Sequence, residues 1–212
     1  MHHDSQVFAT SNPMQISFVL DVILQLDPGS VLDIGCGSGK YGVLAREYLP
    51  KAQIDGIEGF ARYITDVHRV VYDRIYEANA LELVPTLGTY DLVMMIDMFE
   101  HLTFEDGAKL LNELSTRSQH ILVSVPVWHP EQDAMHGNVL QEHHAQYDVP
   151  KLRELGFRQI WRVSGNYIAL HSAMKVNLKL KVLKCAATCL LPHWVSRVLA
   201  PLSRKLFSDR NQ

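Results

Sequence analysis

Asp33, Glu58, Asp97, Glu100, His101 and His143 carry the charge or proton affinity that chemistry needs, and Gly35, Gly37 and Gly39 follow the first of them at alternate positions. Glycines so spaced let a backbone turn tightly and approach a ligand, the device that cradles nucleotides between a strand and a helix. The pattern departs from the dinucleotide fingerprint G-x-G-x-x-G: the third glycine comes one position early, and Lys40 stands where it should be. Asp33, two residues before the first glycine, would repel a pyrophosphate but suits a ligand that carries an ammonium group. Glu58 lies about 20 residues beyond the glycines, where an acid can accept the protons of both ribose hydroxyls; its bland alternative is a solvent-facing carboxylate at a strand end. Asp97 and the Glu100-His101 pair close a second apolar run, and a histidine there suits a general base for a hydroxyl or amine, or else orients its own loop.

The elements that must hold these residues follow from periodicity. Val31–Ile34 and Tyr90–Asp97 read as buried strands, the second apolar over five residues and so covered on both faces. Between them the sequence predicts a helix after the glycine turn, ending at Pro50, a strand over Ala52–Ile57, a helix with an apolar stripe of Tyr63, Ile64, Val67 and Val71, and a short strand over Arg74–Ala78. Before the first strand, Pro13–Leu26 reads as a helix with Ile16, Leu20, Ile23 and Leu24 on one face. After Asp97 come a helix capped at Thr103 with Leu110, Leu111 and Leu114 inward, a strand over Ile121–Val125, and a short helix from Asp148 to Gly156. A hairpin of Arg158–Val163 and Tyr167–His171 follows.

Val31 to Gly39 resembles the first motif of the class I S-adenosylmethionine (SAM)-dependent methyltransferases, and the Glu100-His101-Leu102 run resembles one that many small-molecule members carry at the same distance. The resemblance covers residues 13 to about 172. It implies an α/β, Rossmann-like, doubly wound, mostly parallel seven-stranded sheet with an antiparallel last strand. It implies SAM as cofactor, held by Asp33, Gly35, Cys36, Gly37, Gly39, Glu58, Gly59, Asn79, Ala80 and Asp97, with His101 and His143 as catalytic candidates. Asn79 stands where the family has an acid that contacts adenine; it is either an adenine ligand or a turn asparagine. The implied reaction is methyl transfer to an oxygen or nitrogen nucleophile of a small molecule, glycan or lipid-linked acceptor. The alternatives are an inactive relative that only binds the cofactor, and a nicotinamide enzyme, which Asp33 and the glycine spacing oppose.

Trp128 to Tyr147 is long and irregular and reads as a lid or binding loop. Its Gly137-Asn138, His143 and Tyr147 resemble a pattern in methyltransferases of bacterial surface-polysaccharide clusters. His143 is either a substrate-binding group or base, or a solvent-facing histidine. His136, His143 and His144 show no i, i+4 pair and no cysteine joins them, so no metal site is expected.

The chain has 212 residues and a formal charge of -3, too little positive charge for nucleic acid as a partner. The charge is uneven: residues 173–212 carry eight Lys and Arg against Asp209 alone, a net +7 on a body of −10. The expected organisation is therefore a methyltransferase domain over 1–172 and a basic, amphipathic, helical extension over 173–212. The extension suits a homodimer interface, docking on its own domain, or peripheral contact with an anionic membrane. Three cysteines without a dense pattern, and an amino terminus lacking a basic-then-apolar leader, predict a cytoplasmic protein.

Overall fold

The computed structural model describes residues 11–128 and 137–179. A seven-stranded sheet runs in the order β3-β2-β1-β4-β5-β7-β6. Its strands are β1 (Ser30–Ile34), β2 (Gln53–Glu58), β3 (Arg74–Glu77), β4 (Tyr90–Ile96), β5 (Ser118–Pro126), β6 (Gln159–Val163) and β7 (Asn166–Ser172). The helices are α1 (Ile16–Leu26), α2 (Lys40–Tyr48), α3 (Asp66–Val71), α4 (Ala80–Leu83), α5 (Phe104–Ser115) and α6 (Val149–Glu154). β1 to β5 pair in parallel, and β7 runs antiparallel to both β5 and β6. The expected α/β doubly wound fold is therefore present. Parallel strands need crossovers, and α2, α3 and α5 supply them; β1, β2, β4 and β5 are buried along most of their length, while the edge strand β3 has no buried residue. The strand order reverses between β1 and β4, which opens a crevice beyond their carboxyl ends.

The hairpin that ends the sheet turns on Ser164 (φ 48°) and Gly165 (φ 90°). Positive φ at both central residues marks the turn whose twist matches the flanking strands. Asn166, expected in the turn, is the first residue of β7.

Two predicted faces were wrong. α1 buries Phe18, Val19, Val22 and Ile23, while Leu24 is exposed. The helix is apolar nearly all round, so periodicity alone offered two stripes that share Ile23. Packing chose the one whose Phe18 meets Trp161 of β6, ring centroids 5.4 Å apart. α3 buries His68 and Val71 and exposes Val67 and Val70. Tyr63 lies in a separate 3-10 turn, Ala61–Tyr63, so the expected stripe spans two elements. By contrast α5 buries Leu110, Leu111 and Leu114 behind its Thr103 cap as expected.

The chain divides into two compact units, Met1–Asn177 and Leu178–Gln212, a boundary a few residues beyond the expected 172. Two hydrogen bonds explain the difference: Ala173 N–H donates to Gln119 O at 2.9 Å, and Gln159 Nε2 donates to Val176 O at 2.8 Å. Most of the expected basic extension, residues 180–212, lies outside the described residues. Among the described residues no helix is long and apolar enough to cross a membrane.

Candidate active site

A cleft partly open to solvent lies beyond the ends of β1, β2 and β4. Asp33, Gly35, Cys36, Gly37, Glu58, Gly59, Asn79, Ala80, Asp97 and His101 all line it. The sequence reading therefore converges on one place, although Gly39 and His143 lie off the lining.

The glycine turn is fixed from three sides. Gly35 has φ +70°, and a Cβ there would come within 2.3 Å of the Met98 side chain, so neither conformation nor space admits another residue. Gly35 and Cys36 N–H groups both donate to Ile57 O, at 2.8 and 3.2 Å. From α3, His68 Nδ1 accepts from Thr65 N–H at 3.1 Å, and Nε2 therefore donates to Gly37 O at 2.9 Å. Burial holds His68 below its ordinary pKa, which keeps this neutral tautomer. Sequence reasoning had placed this helix in the core and missed the brace. Its only trace was the Thr65-x-x-His68 capping spacing.

Glu58 is almost fully buried at the end of β2. One oxygen accepts from Gly37 N–H at 2.8 Å and the other from Phe60 N–H at 2.8 Å. Each oxygen keeps a second lone pair for a ligand hydroxyl, in an orientation fixed before any ligand arrives. Burial raises the Glu58 pKa, and the backbone donors partly offset that rise. Asp33 lies deeper and accepts from the Tyr72 hydroxyl at 2.7 Å. Burial pushes its pKa up to about 7, against the lowering by Tyr72, with nearby Glu58 adding to the rise. Gly42 in α2 makes room for that tyrosine: a Cβ there would come within 2.3 Å of the Tyr72 ring. Burial, with Asp33 and Glu58 nearby, raises the Cys36 thiol far above its usual range, so it is an inert lining group rather than a nucleophile.

Asp97 lines the cleft, yet its carboxylate is committed to the protein. Oδ2 accepts from Asn12 N–H and Gln15 Nε2, both at 2.8 Å. Oδ1 accepts from Ser124 Oγ at 2.9 Å and Asn166 Nδ2 at 2.6 Å. Asp97 thus ties the segment before α1 to β5 and β7. Asn79 accepts from Leu81 N–H at 2.9 Å and caps α4, so the turn role anticipated for it is occupied, at a position on the cleft wall.

On the other side of the cleft, His101 ends the 3-10 turn Phe99–His101 that follows β4. Its Nδ1 donates to Glu142 O at 3.1 Å, which makes Nε2 the unprotonated nitrogen of the neutral ring. His143 lies against it, ring centroids 5.0 Å apart. The loop that brings it there is pinned: Glu100 O accepts from His144 and Ala145 N–H at 3.0 and 3.2 Å. Tyr147 anchors the loop by packing against Phe99 at 4.7 Å, fully buried. The expected binding loop is therefore part core anchor, while its Asn138, Leu140 and Gln141 line the cleft. His129, Glu131, Asp133 and His136 lie outside the described residues. No metal site was expected, yet a Glu100 carboxylate oxygen and one ring nitrogen each of His101 and His143 lie within 4.8 Å of one another. The spacing argument had compared only histidines within one loop, and here two of the three groups come from the end of β4.

Residues 31–118, which hold the glycine turn and the β4 end, match a protein family described as a methyltransferase domain. The fold superposes on solved methyltransferase structures. The fold is the Rossmann-like methyltransferase fold. An O-methyltransferase family protein from Burkholderia thailandensis superposes with TM-score 0.56 at 12% identity, over 75% of this chain and 56% of that one. The N-terminal domain of EvdMO1, solved with S-adenosylhomocysteine (SAH) bound, gives 0.58 at 16%, over 78% and 82%. Human N-acetylserotonin methyltransferase, in complex with SAM, gives 0.57 at 15%, over 77% and 52%. The chain therefore spans only a little over half the length of the first and third. No curated protein matches the sequence.

Proposed function

We propose that this chain is a SAM-dependent methyltransferase that moves a methyl group to an oxygen or nitrogen nucleophile of a small molecule, glycan or lipid-linked acceptor. The observation that carries the reading is the preset Glu58 carboxylate, whose two oxygens hold the glycine turn from one side while facing the cleft. Glu58 receives the ribose hydroxyls, Asp33 the ammonium group of the amino acid part, and the wall at Asn79–Leu81 the adenine. The methyl then points toward His101 on the far wall, with His143 behind it against the His101 ring. The protein's contribution is to hold donor and acceptor in line and exclude water. The family-domain match over the turn supports it. A sugar acceptor draws support from the EvdMO1 domain, which was also crystallised in the presence of SAH and D-fucose, and from the Gly137-Asn138, His143 and Tyr147 pattern.

Thermal shift and calorimetry with SAH against NAD test the cofactor, and methyl transfer from labelled SAM to a panel of hydroxyl and amine acceptors tests the reaction. SAH is expected to raise the melting temperature while NAD does not. Stabilisation by NAD alone would overturn the reading.

The pH dependence of binding follows from Asp33. With its pKa near 7 in the empty cleft, the carboxyl is largely protonated below that value. An ammonium ligand favours the ionised form, so binding below pH 7 must release a proton. In the empty protein the raised pKa means that stability declines as pH climbs from about 4 through about 7, because the ionised form is the one that burial penalises. SAH affinity is expected to rise between roughly pH 6 and 7.5, where an α-amino group is still charged. Calorimetry in buffers of different ionisation enthalpy should register the released proton for wild type and less of it for Asp33→Asn. Equal proton release in both would remove Asp33 from this role.

A further inference from the structure

We propose that Glu100, His101 and His143 bind a divalent transition-metal ion, of the Zn2+ or Mn2+ kind, which holds the acceptor hydroxyl beside the cofactor cleft. The site itself stands on side-chain geometry; its use on an acceptor rests on the methyltransferase reading above. One carboxylate and two imidazoles form a donor set suited to such ions and leave coordination positions open. The three ligand atoms lie within 4.8 Å of one another. Ligand bonds of about 2.0–2.2 Å put neighbouring ligand atoms roughly 3–4 Å apart, so the side chains need close by only about an ångström.

Three further observations point to a cation. Glu100 is 3% exposed, and its Oε2 finds no hydrogen-bond partner among the described residues. A buried carboxylate in that state calls for a proton or a metal. The backbone carbonyl of Glu142 holds the Nδ1–H of His101, as outer carbonyls do for metal-ligating histidines, and so presents Nε2 as the donor atom. The loop carrying His143 is held to Glu100 through the paired N–H groups of His144 and Ala145, so the third ligand is brought up by backbone rather than by chance. Proton abstraction by a histidine would use one ring and give Glu100 no task; an ion uses all three groups.

His101 also lines the cofactor cleft, which puts the ion next to the transferred methyl. An acceptor hydroxyl coordinates through oxygen, and the ion lowers its pKa so that its proton passes to solvent water. The oxygen lone pair then forms the bond to the methyl carbon as the carbon–sulfur bond breaks, and that electron pair stays on sulfur as the neutral thioether SAH. The inference narrows the acceptor to a hydroxyl compound, because an amine held by the ion has given it its only lone pair, whereas a coordinated alkoxide oxygen keeps others to attack the methyl carbon.

The test titrates chelator-treated full-length protein with Mn2+, followed by electron paramagnetic resonance, and with Zn2+ by calorimetry, with and without SAH. Wild type is expected to bind one ion that both Glu100→Gln and His143→Ala lose, while both variants keep the wild-type melting curve and SAH affinity. Ion sites elsewhere, such as at His2 and His3, survive both substitutions and so do not count. No ion binding by wild type, or unchanged affinity in both variants, overturns the proposal. His143→Ala at a partly exposed position keeps the test decisive if Glu100→Gln fails to fold. SAH binding without metal binding sinks this inference and leaves the methyltransferase reading intact. Metal binding without SAH binding sinks its acceptor role instead.

Discussion

Glu58→Ala is expected to weaken SAH binding by about a hundredfold or more. Two ribose hydroxyls lose an ionised acceptor, and a hydrogen bond to a charged group is worth about 1.5–3 kcal/mol, or roughly ten- to a hundredfold each. The substitution also strips Gly37 N–H and Phe60 N–H of their partners, since each donates to one of the two carboxylate oxygens. The glycine turn then loses one of its supports, and the cradle must be organised at the expense of binding energy. Glu58→Gln keeps one oxygen and so one of those two bonds; its affinity is expected to fall between wild type and Glu58→Ala. Calorimetry with SAH, with circular dichroism melts to confirm folding, measures both. Affinity within twofold of wild type in a folded Glu58→Ala would place the ribose elsewhere and remove the observation on which the proposed function rests.

Glu58 and Asp33 were legible in the sequence because their positions are set by local rules. Each closes a buried strand, and the tight glycine turn fixes their distance along the chain. The sheet was legible for the same reason, through apolar runs that only parallel strands covered on both faces bury at that length. What was not legible depends on which surfaces meet. α1 offered two apolar stripes, and the choice fell to the contact of Phe18 with Trp161, more than a hundred residues away in the chain. His68 sits at a position where an apolar stripe would be expected, and its function is a hydrogen bond from α3 to Gly37 O in the glycine turn. The approach of His143 to Glu100 and His101 has no signal in spacing at all, because it is made by backbone pairing between residue 100 and residues 144 and 145. Asp97 is the instructive case. Its place at the end of β4 was read as a ligand contact, and the cleft does border it, but its bonding capacity is taken up by four donors from the amino-terminal segment, β5 and β7.

Asp97→Asn should therefore act as a stability mutation, even though the side chain is isosteric and lies on the cleft wall. All four bonds at Asp97 come from donors. Asn12 N–H is backbone and cannot reverse; the single Ser124 hydroxyl proton is shared between Asp97 Oδ1 and Gln15 Oε1, and Asn166 Nδ2 is shared between Asp97 and Ser124. An asparagine offers one accepting oxygen; with that oxygen toward Asn12 and Gln15, its amide group faces Ser124 Oγ, which can turn to accept, and Asn166 Nδ2, which is left opposed donor to donor. With the amide turned toward Asn12 instead, the backbone N–H is the opposed donor, so at least one donor loses its acceptor either way. Asp97 also has φ +52°, a conformation that asparagine tolerates, so backbone strain does not add to the loss. Leaving one donor opposed in a part-buried network is expected to destabilise the protein by about 1–3 kcal/mol. Urea denaturation at pH 7.5 measures it as a fall in the midpoint at unchanged slope. The loss of stability should exceed the loss of SAH affinity, because the carboxylate holds the wall rather than the ligand. An unchanged urea midpoint together with a large drop in SAH affinity would return Asp97 to the ligand-binding role that its sequence position suggested.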